Sequence, residues 1–139
     1  AVTLICEENF AKENGLEIFG RIKSIAVEGC DPNYMGLGPI SATKKALERA
    51  KLSMKDIDIV ELNEAFASQS LACIKDLEID IKKVNLDGGA IALGHPLVAT
   101  GARITVKAAQ LLKRENKKYA LATQCIGLGM GIATIIEAV

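Results

Sequence analysis

The only histidine of the chain, His95, stands between Gly94 and Pro96 in GGAIALGHPLVATGARI, Gly88 to Ile104. Cys125 opens CIGLGMG, and the pair Asn63-Glu64 ends the β-prone run DIDIVELNE. Imidazoles and thiols are the side chains most easily tuned to exchange protons near neutral pH. Peptide N–H groups around Gly127 and Gly129 can approach a ligand closely, because glycine leaves no side chain in the way. Such groups are the material of an oxyanion hole. Each residue has a plainer reading too. A cysteine in a β segment serves as a small buried hydrophobe, a histidine beside proline as a turn residue, and Asn-Glu as a helix N-cap with an acidic first turn. Chemistry alone leaves both readings open.

Other chemistries fail on residue type or spacing. Gly89 and Gly94 are spaced like the glycines of a phosphate loop, but His95 and Pro96 replace the required Lys and Ser/Thr. GLGMG, Gly127 to Gly131, has the wrong spacing for a dinucleotide turn and no following helix. There is no Gly-x-Ser-x-Gly elbow. Cys6, Cys30, Cys73 and Cys125 are scattered, with no Cys-x-x-Cys and no second histidine, so no metal site is expected. Reduced thiols in a cytoplasmic setting are the expectation that goes with them.

Lysine plus arginine and aspartate plus glutamate each total 17, so no net field gathers nucleic acid or an anionic membrane. Apolar runs are broken well before the roughly 18 residues a membrane span needs, and no secretory leader is visible. The chain opens on AVTLICEE without methionine, as a piece beginning mid-fold would, so the cytoplasmic expectation is conditional on what precedes it.

These residues must be positioned by a single domain, since 139 residues suffice for one core and not for two ordinary ones. AVTLICEE reads as a strand, NFAKENG as a short helix stopped at Gly15, and EIFGRIKSIAVEG as a strand bent at Gly20. CDPNYMGLGP is a loop by its turn chemistry. ISATKKALERAKLS is a helix opened by Pro39, and DIDIVELNE a strand. AFASQSLACIKDLEI reads as a helix with Ala65, Ser68, Leu71 and Ala72 on one face. After the loop KKVNLDGGAIALGHP, VATGARITVKAAQLLKREN is a long helix with a basic last turn. YALATQCIG and MGIATIIEAV are two strands joined across glycines. The alternation predicts an α/β sandwich with a largely parallel sheet, the last hairpin adding an antiparallel pair.

Four stretches carry a more specific likeness. DPNYMGLGP (Asp31–Pro39), NEAFA (Asn63–Ala67), GGAIALGHP (Gly88–Pro96) and CIGLGMG (Cys125–Gly131) resemble, in order and spacing, C-terminal signatures of the thiolases. The resemblance spans essentially the whole chain, 1–139. It implies the C-terminal half of an acyl-CoA C-acyltransferase of lipid and fatty acid metabolism: a three-layer α/β half with a five-stranded mixed sheet and helices on both faces. The implied reaction is Claisen condensation of two acyl-CoA molecules, or thiolytic cleavage of a 3-oxoacyl-CoA.

By the same resemblance, His95 activates a nucleophilic cysteine of the other half and joins an oxyanion hole, which Asn63 completes through a water. Cys125 is the acid/base at the α-carbon, and the Gly127 N–H faces the intermediate. Met35, Ala65 and Phe66 wall the acyl and pantetheine tunnel. The implied partners are an acyl-CoA substrate, the N-terminal half and further copies of the chain in a homo-oligomer, with no cofactor beyond the coenzyme A thioester itself. None of Cys6, Cys30 or Cys73 has the surroundings of the family's acyl-carrying cysteine, so the isolated chain is expected to be inactive. Val98 stands where the family favours glycine, adding bulk near the helix start. A non-catalytic lobe serving binding or assembly is the alternative these two departures motivate.

Overall fold

A computed structural model describes residues 1–139. Its strands are β1 (Arg21–Gly29), β2 (Ile59–Leu62), β3 (Tyr119–Ile126) and β4 (Met130–Glu137), and its helices α1 (Glu8–Glu13), α2 (Gly38–Ala50), α3 (Ala67–Asp76), α4 (Ala90–Leu93) and α5 (Thr100–Arg114). The sheet has the order β1-β4-β3-β2. Strand β4 runs antiparallel to both of its neighbours, and β2 pairs with β3 in parallel. Three strands therefore share one direction, as expected. Two of the three neighbouring pairs are nevertheless antiparallel, because the tight turn after β3 inserts β4 between β3 and β1.

The sheet has four strands rather than the expected five. A single parallel bridge, Val60 to Val84, marks the fifth position beyond β2. Pairing stops there because Asn85 turns into the left-handed region at φ 48°. Its side-chain amide then does the work of a strand backbone, accepting from Leu62 N and donating to Leu62 O, both at 2.9 Å.

AVTLICEE is not a strand. Ala1–Glu7 is irregular and exposed, since β-propensity yields a strand only where a sheet edge receives it. The predicted bend at Gly20 becomes a strand start one residue later, with a register shift between Ile22 and Ser24. The loop at Pro32–Leu37 is a 3-10 turn, opened by Asp31, whose carboxylate accepts from Asn33 N at 2.9 Å. Helix α3 begins at Ala67 behind Phe66, so Ala65 and Phe66 lead into it rather than belong to it, and Asn63 is not its N-cap.

Side chains alternate along the strands, so each face of the sheet buries its own set. Val60, Leu62, Leu121 and Ile135 pack with Ala42, Ala46 and Leu47 of α2 and Cys73 of α3. On the other face Ile59, Ala120, Ala122 and Ile136 pack with Ile104, Ala108, Leu111 and Leu112 of α5. Glu61 and Asn63 share the parity of Ile59, which puts them on the α5 face. The result is three layers, with the carboxyl ends of β2 and β3 side by side.

Candidate active site

Those two strand ends carry the predicted chemistry. Asn63 follows β2, and its N–H donates to Thr123 O at 2.9 Å, which continues the parallel pairing alongside Gln124 and next to Cys125. His95 arrives from the opposite direction, on a strap between α4 and α5. Asn63 Nδ2 lies 3.4 Å from His95 Nε2, while His95 Nδ1 lies 2.7 Å from Thr100 Oγ1. The imidazole is thus held at both nitrogens, and Asn63 and His95, singled out separately in the sequence, lie side by side. His95 makes no hydrogen bond to Cys125. Asn63 is 1% exposed and its Oδ1 has no partner in the protein.

Cys125 is half-buried near the end of β3, on the α2/α3 side. Burial pushes its thiol up, and nearby Cys30 adds to the shift. The resting group is therefore a protonated thiol, suited to giving a proton to a carbanion. Beyond it, a Cβ at Gly127 would meet nothing within 4 Å, so that stretch of backbone lies open. Gly129 differs: its φ is 81°, and a Cβ there would fall 2.6 Å from Cys30 O. It shapes the turn, whereas Gly127 leaves room.

The other predicted residues sit around this end. Met35 is half-buried in the 3-10 turn, where a Cβ at Gly36 would fall 2.8 Å from the Gln69 side chain of α3. Ala65 is half-buried and Phe66 is 61% exposed. Val98, the departure from the family pattern, is fully exposed and its φ is not positive. Glycine's conformational freedom is not used at that position, and the valine side chain points away from the packed core.

The strap is braced by Glu64 of the NEAFA stretch and by residues outside every motif. Glu64 Oε2 accepts from Ile91 N at 3.0 Å, tying the first turn of α4, and Glu64 Oε1 accepts from Asn85 Nδ2 at 2.7 Å. A Cβ at Gly89 would fall 2.2 Å from the Glu64 carboxylate, so a side chain there would push that carboxylate away from Ile91 N and Asn85 Nδ2. Asp87 takes a forked bond from Arg114 at 2.6 and 2.9 Å and also meets Lys107, pinning the preceding loop to α5. The signal for Asn85 and Asp87 is the turn composition of NLDGG. Their partners are visible only in three dimensions.

Glu61 lies beneath the site, 1% exposed. Burial pushes its carboxyl up to about 7 from an ordinary 4.5, against the opposing pull of Arg103 and Lys107. The folded protein therefore holds an extra proton between those two values. Stability is expected to fall as pH rises through that window and to level off above it. Glu61→Gln should flatten this dependence. Urea midpoints at about pH 5 and 8 check it, and an unchanged pH slope in the variant would contradict it.

The arrangement matches known proteins along its length. Residues 16–138 match the family model described as thiolase, C-terminal domain. The chain belongs to that family. It is 59% identical over 137 residues to a 3-ketoacyl-CoA thiolase of Vibrio cholerae serotype O1 (strain ATCC 39315 / El Tor Inaba N16961), covering 96% of this chain and 35% of the relative. A 3-ketoacyl-CoA thiolase of Vibrio parahaemolyticus serotype O3:K6 is 58% identical over the same length, with the same coverage. The human mitochondrial 3-ketoacyl-CoA thiolase crystal structure, solved also in complex with CoA, superposes with a TM-score of 0.92 at 49% identity, covering 95% of this chain and 33% of that one. This thiolase C-terminal domain thus spans about a third of the length of the relatives it matches.

Proposed function

We propose that this thiolase domain is the C-terminal half of an acyl-CoA C-acyltransferase that cleaves 3-oxoacyl-CoA with coenzyme A, or runs the reverse condensation. The observation that carries the reading is the Asn63–His95 pair at 3.4 Å, set at the carboxyl end of β2 and one strand from Cys125. In the cleavage direction His95 takes the proton of a cysteine thiol supplied by the N-terminal half. The thiolate attacks the 3-keto carbon, and the charge that develops on oxygen is met by polarised donors: the protonated imidazole and a water held by Asn63. The C–C bond breaks, leaving an acyl thioester on that cysteine and an enolate of acetyl-CoA. Cys125 gives the enolate its proton, and the resulting thiolate takes one from incoming coenzyme A, which then releases the acyl group. The Gly127 N–H faces the enolate oxygen, and Met35, Ala65 and Phe66 line the substrate path.

The partner half belongs to the same proposal. A cavity of about 730 Å³ lies open between the irregular N-terminal residues and α5, walled by apolar groups that include Val2, Ile5, Val106 and Ala109. Val2 is 96% exposed and Ile5 70%. Apolar surface of this extent fits burial against further polypeptide. A homo-oligomer and a cytoplasmic setting, in keeping with four unpaired thiols, complete the reading.

The test is thiolysis of acetoacetyl-CoA. The 139 residues alone should show no turnover, and the same residues joined to the N-terminal portion of the Vibrio cholerae relative should cleave it. Turnover by the short chain, or a folded but inactive chimera, would overturn the proposal.

A further inference from the structure

We infer that Thr100 is a positioning residue that sets the tautomer of His95, so that Nε2 and not Nδ1 presents the basic lone pair to the site. The inference rests on the catalytic reading above and deepens it. Thr100 is the first residue of α5 and is fully buried. Its hydroxyl has one proton and two contacts: Pro96 O at 3.0 Å and His95 Nδ1 at 2.7 Å. A carbonyl oxygen can only accept, whereas a neutral imidazole nitrogen is either donor or acceptor according to tautomer.

One arrangement satisfies both contacts. The hydroxyl donates back to the carbonyl four residues earlier, a habit of threonine in a first helical turn, and accepts from Nδ1–H. The alternative gives the hydroxyl proton to Nδ1 and sets an oxygen lone pair against Pro96 O at 3.0 Å. With Nδ1 protonated, the free electron pair is on Nε2, facing Asn63 Nδ2 at 3.4 Å, a donor and not an acceptor. Thus the same ring nitrogen that takes the thiol proton later donates it to the developing oxyanion. The chain fixes this geometry cheaply, because Pro96 supplies both the rigid step after His95 and the carbonyl that orients the hydroxyl. Ala99 N and Thr100 N also donate to Pro96 O, at 2.8 and 3.0 Å, which holds that carbonyl in place.

The test uses the complete polypeptide, with ¹⁵N-labelled histidine and the His95→Gln spectrum to identify the ring. Long-range ¹H–¹⁵N correlations of the neutral ring should show Nδ1–H in the wild type. Thr100→Val, nearly isosteric but without the hydroxyl, should admit the Nε2–H form and lower kcat for thiolysis by about 10- to 100-fold, the range known for lost orienting partners of histidine, with little change in KM. Thr100→Ser restores the hydroxyl and should recover both the tautomer and most of kcat. A wild-type ring protonated at Nε2, a Thr100→Val enzyme with unchanged tautomer and kcat, or a Thr100→Ser enzyme as impaired as Thr100→Val would each overturn the inference. The ring spectrum is read without turnover. A wild type with Nδ1–H and no thiolysis would therefore count against the proposed function while leaving the role of Thr100 standing.

Discussion

On the proposed function, in the chimera with the N-terminal portion of the Vibrio cholerae relative, Cys125→Ala is expected to lower thiolysis and condensation by about 10²–10⁴-fold, the loss typical of a missing general acid/base. Acylation of the N-terminal cysteine by a simple acyl-CoA should remain detectable. The asymmetry follows from geometry. His95 is held by Asn63 and Thr100 and makes no bond to Cys125, so the imidazole keeps its position when the thiol is removed. Only the step that moves a proton at the α-carbon lacks its partner. Burial already keeps the Cys125 thiol protonated at rest, which favours a proton donor over a nucleophile. Steady-state rates with acetoacetyl-CoA, alongside acyl-enzyme detection by mass spectrometry, check this. Loss of both functions together would point to a structural role for Cys125.

The second large effect is on stability. A Cβ at Gly131 would fall 2.1 Å from the carbonyl carbon and oxygen of Gly38 and 2.7 Å from Pro39 N. These are backbone atoms at the start of α2, and β4 is paired on both sides, so neither partner can move away freely. Gly131→Ala should therefore cost about 3 kcal/mol, at the upper end of ordinary overpacking. Gly38→Ala meets Met130 O at 2.3 Å and should cost a similar amount. The double substitution should cost less than the sum, since one shift of α2 relieves both clashes. Urea midpoints measure all three. A Gly131→Ala protein as stable as wild type would show that α2 and β4 are not packed this closely.

The glycines of CIGLGMG thus divide by function. Their type and spacing show that backbone must come close to something, but not to what. Gly131 meets helix α2, Gly129 forms the turn, and Gly127 alone faces open space. Asn63, His95 and Cys125 are legible beforehand because their residue types carry the chemistry and their order matches a family pattern. Thr100, Asn85, Glu64 and Glu61 act through partners 4 to 46 positions away in the chain, and no local pattern records such pairings. Asn85 is the clearest case: an amide side chain standing in for a strand backbone leaves no period-2 signal, and it truncates the expected fifth strand. AVTLICEE failed for the opposite reason. Its composition is that of a strand, but no edge of the sheet receives it.

The proposed function divides the labour, His95 preparing the nucleophile and Cys125 handling the α-proton. The most direct measurement is the stoichiometry of acyl-enzyme formed on mixing the chimera with acetyl-CoA, compared among the unsubstituted protein, His95→Gln and Cys125→Ala. The unsubstituted protein and Cys125→Ala should acylate readily, while His95→Gln acylates slowly if at all. Rapid acylation of His95→Gln, or failure of Cys125→Ala to acylate, would contradict the account.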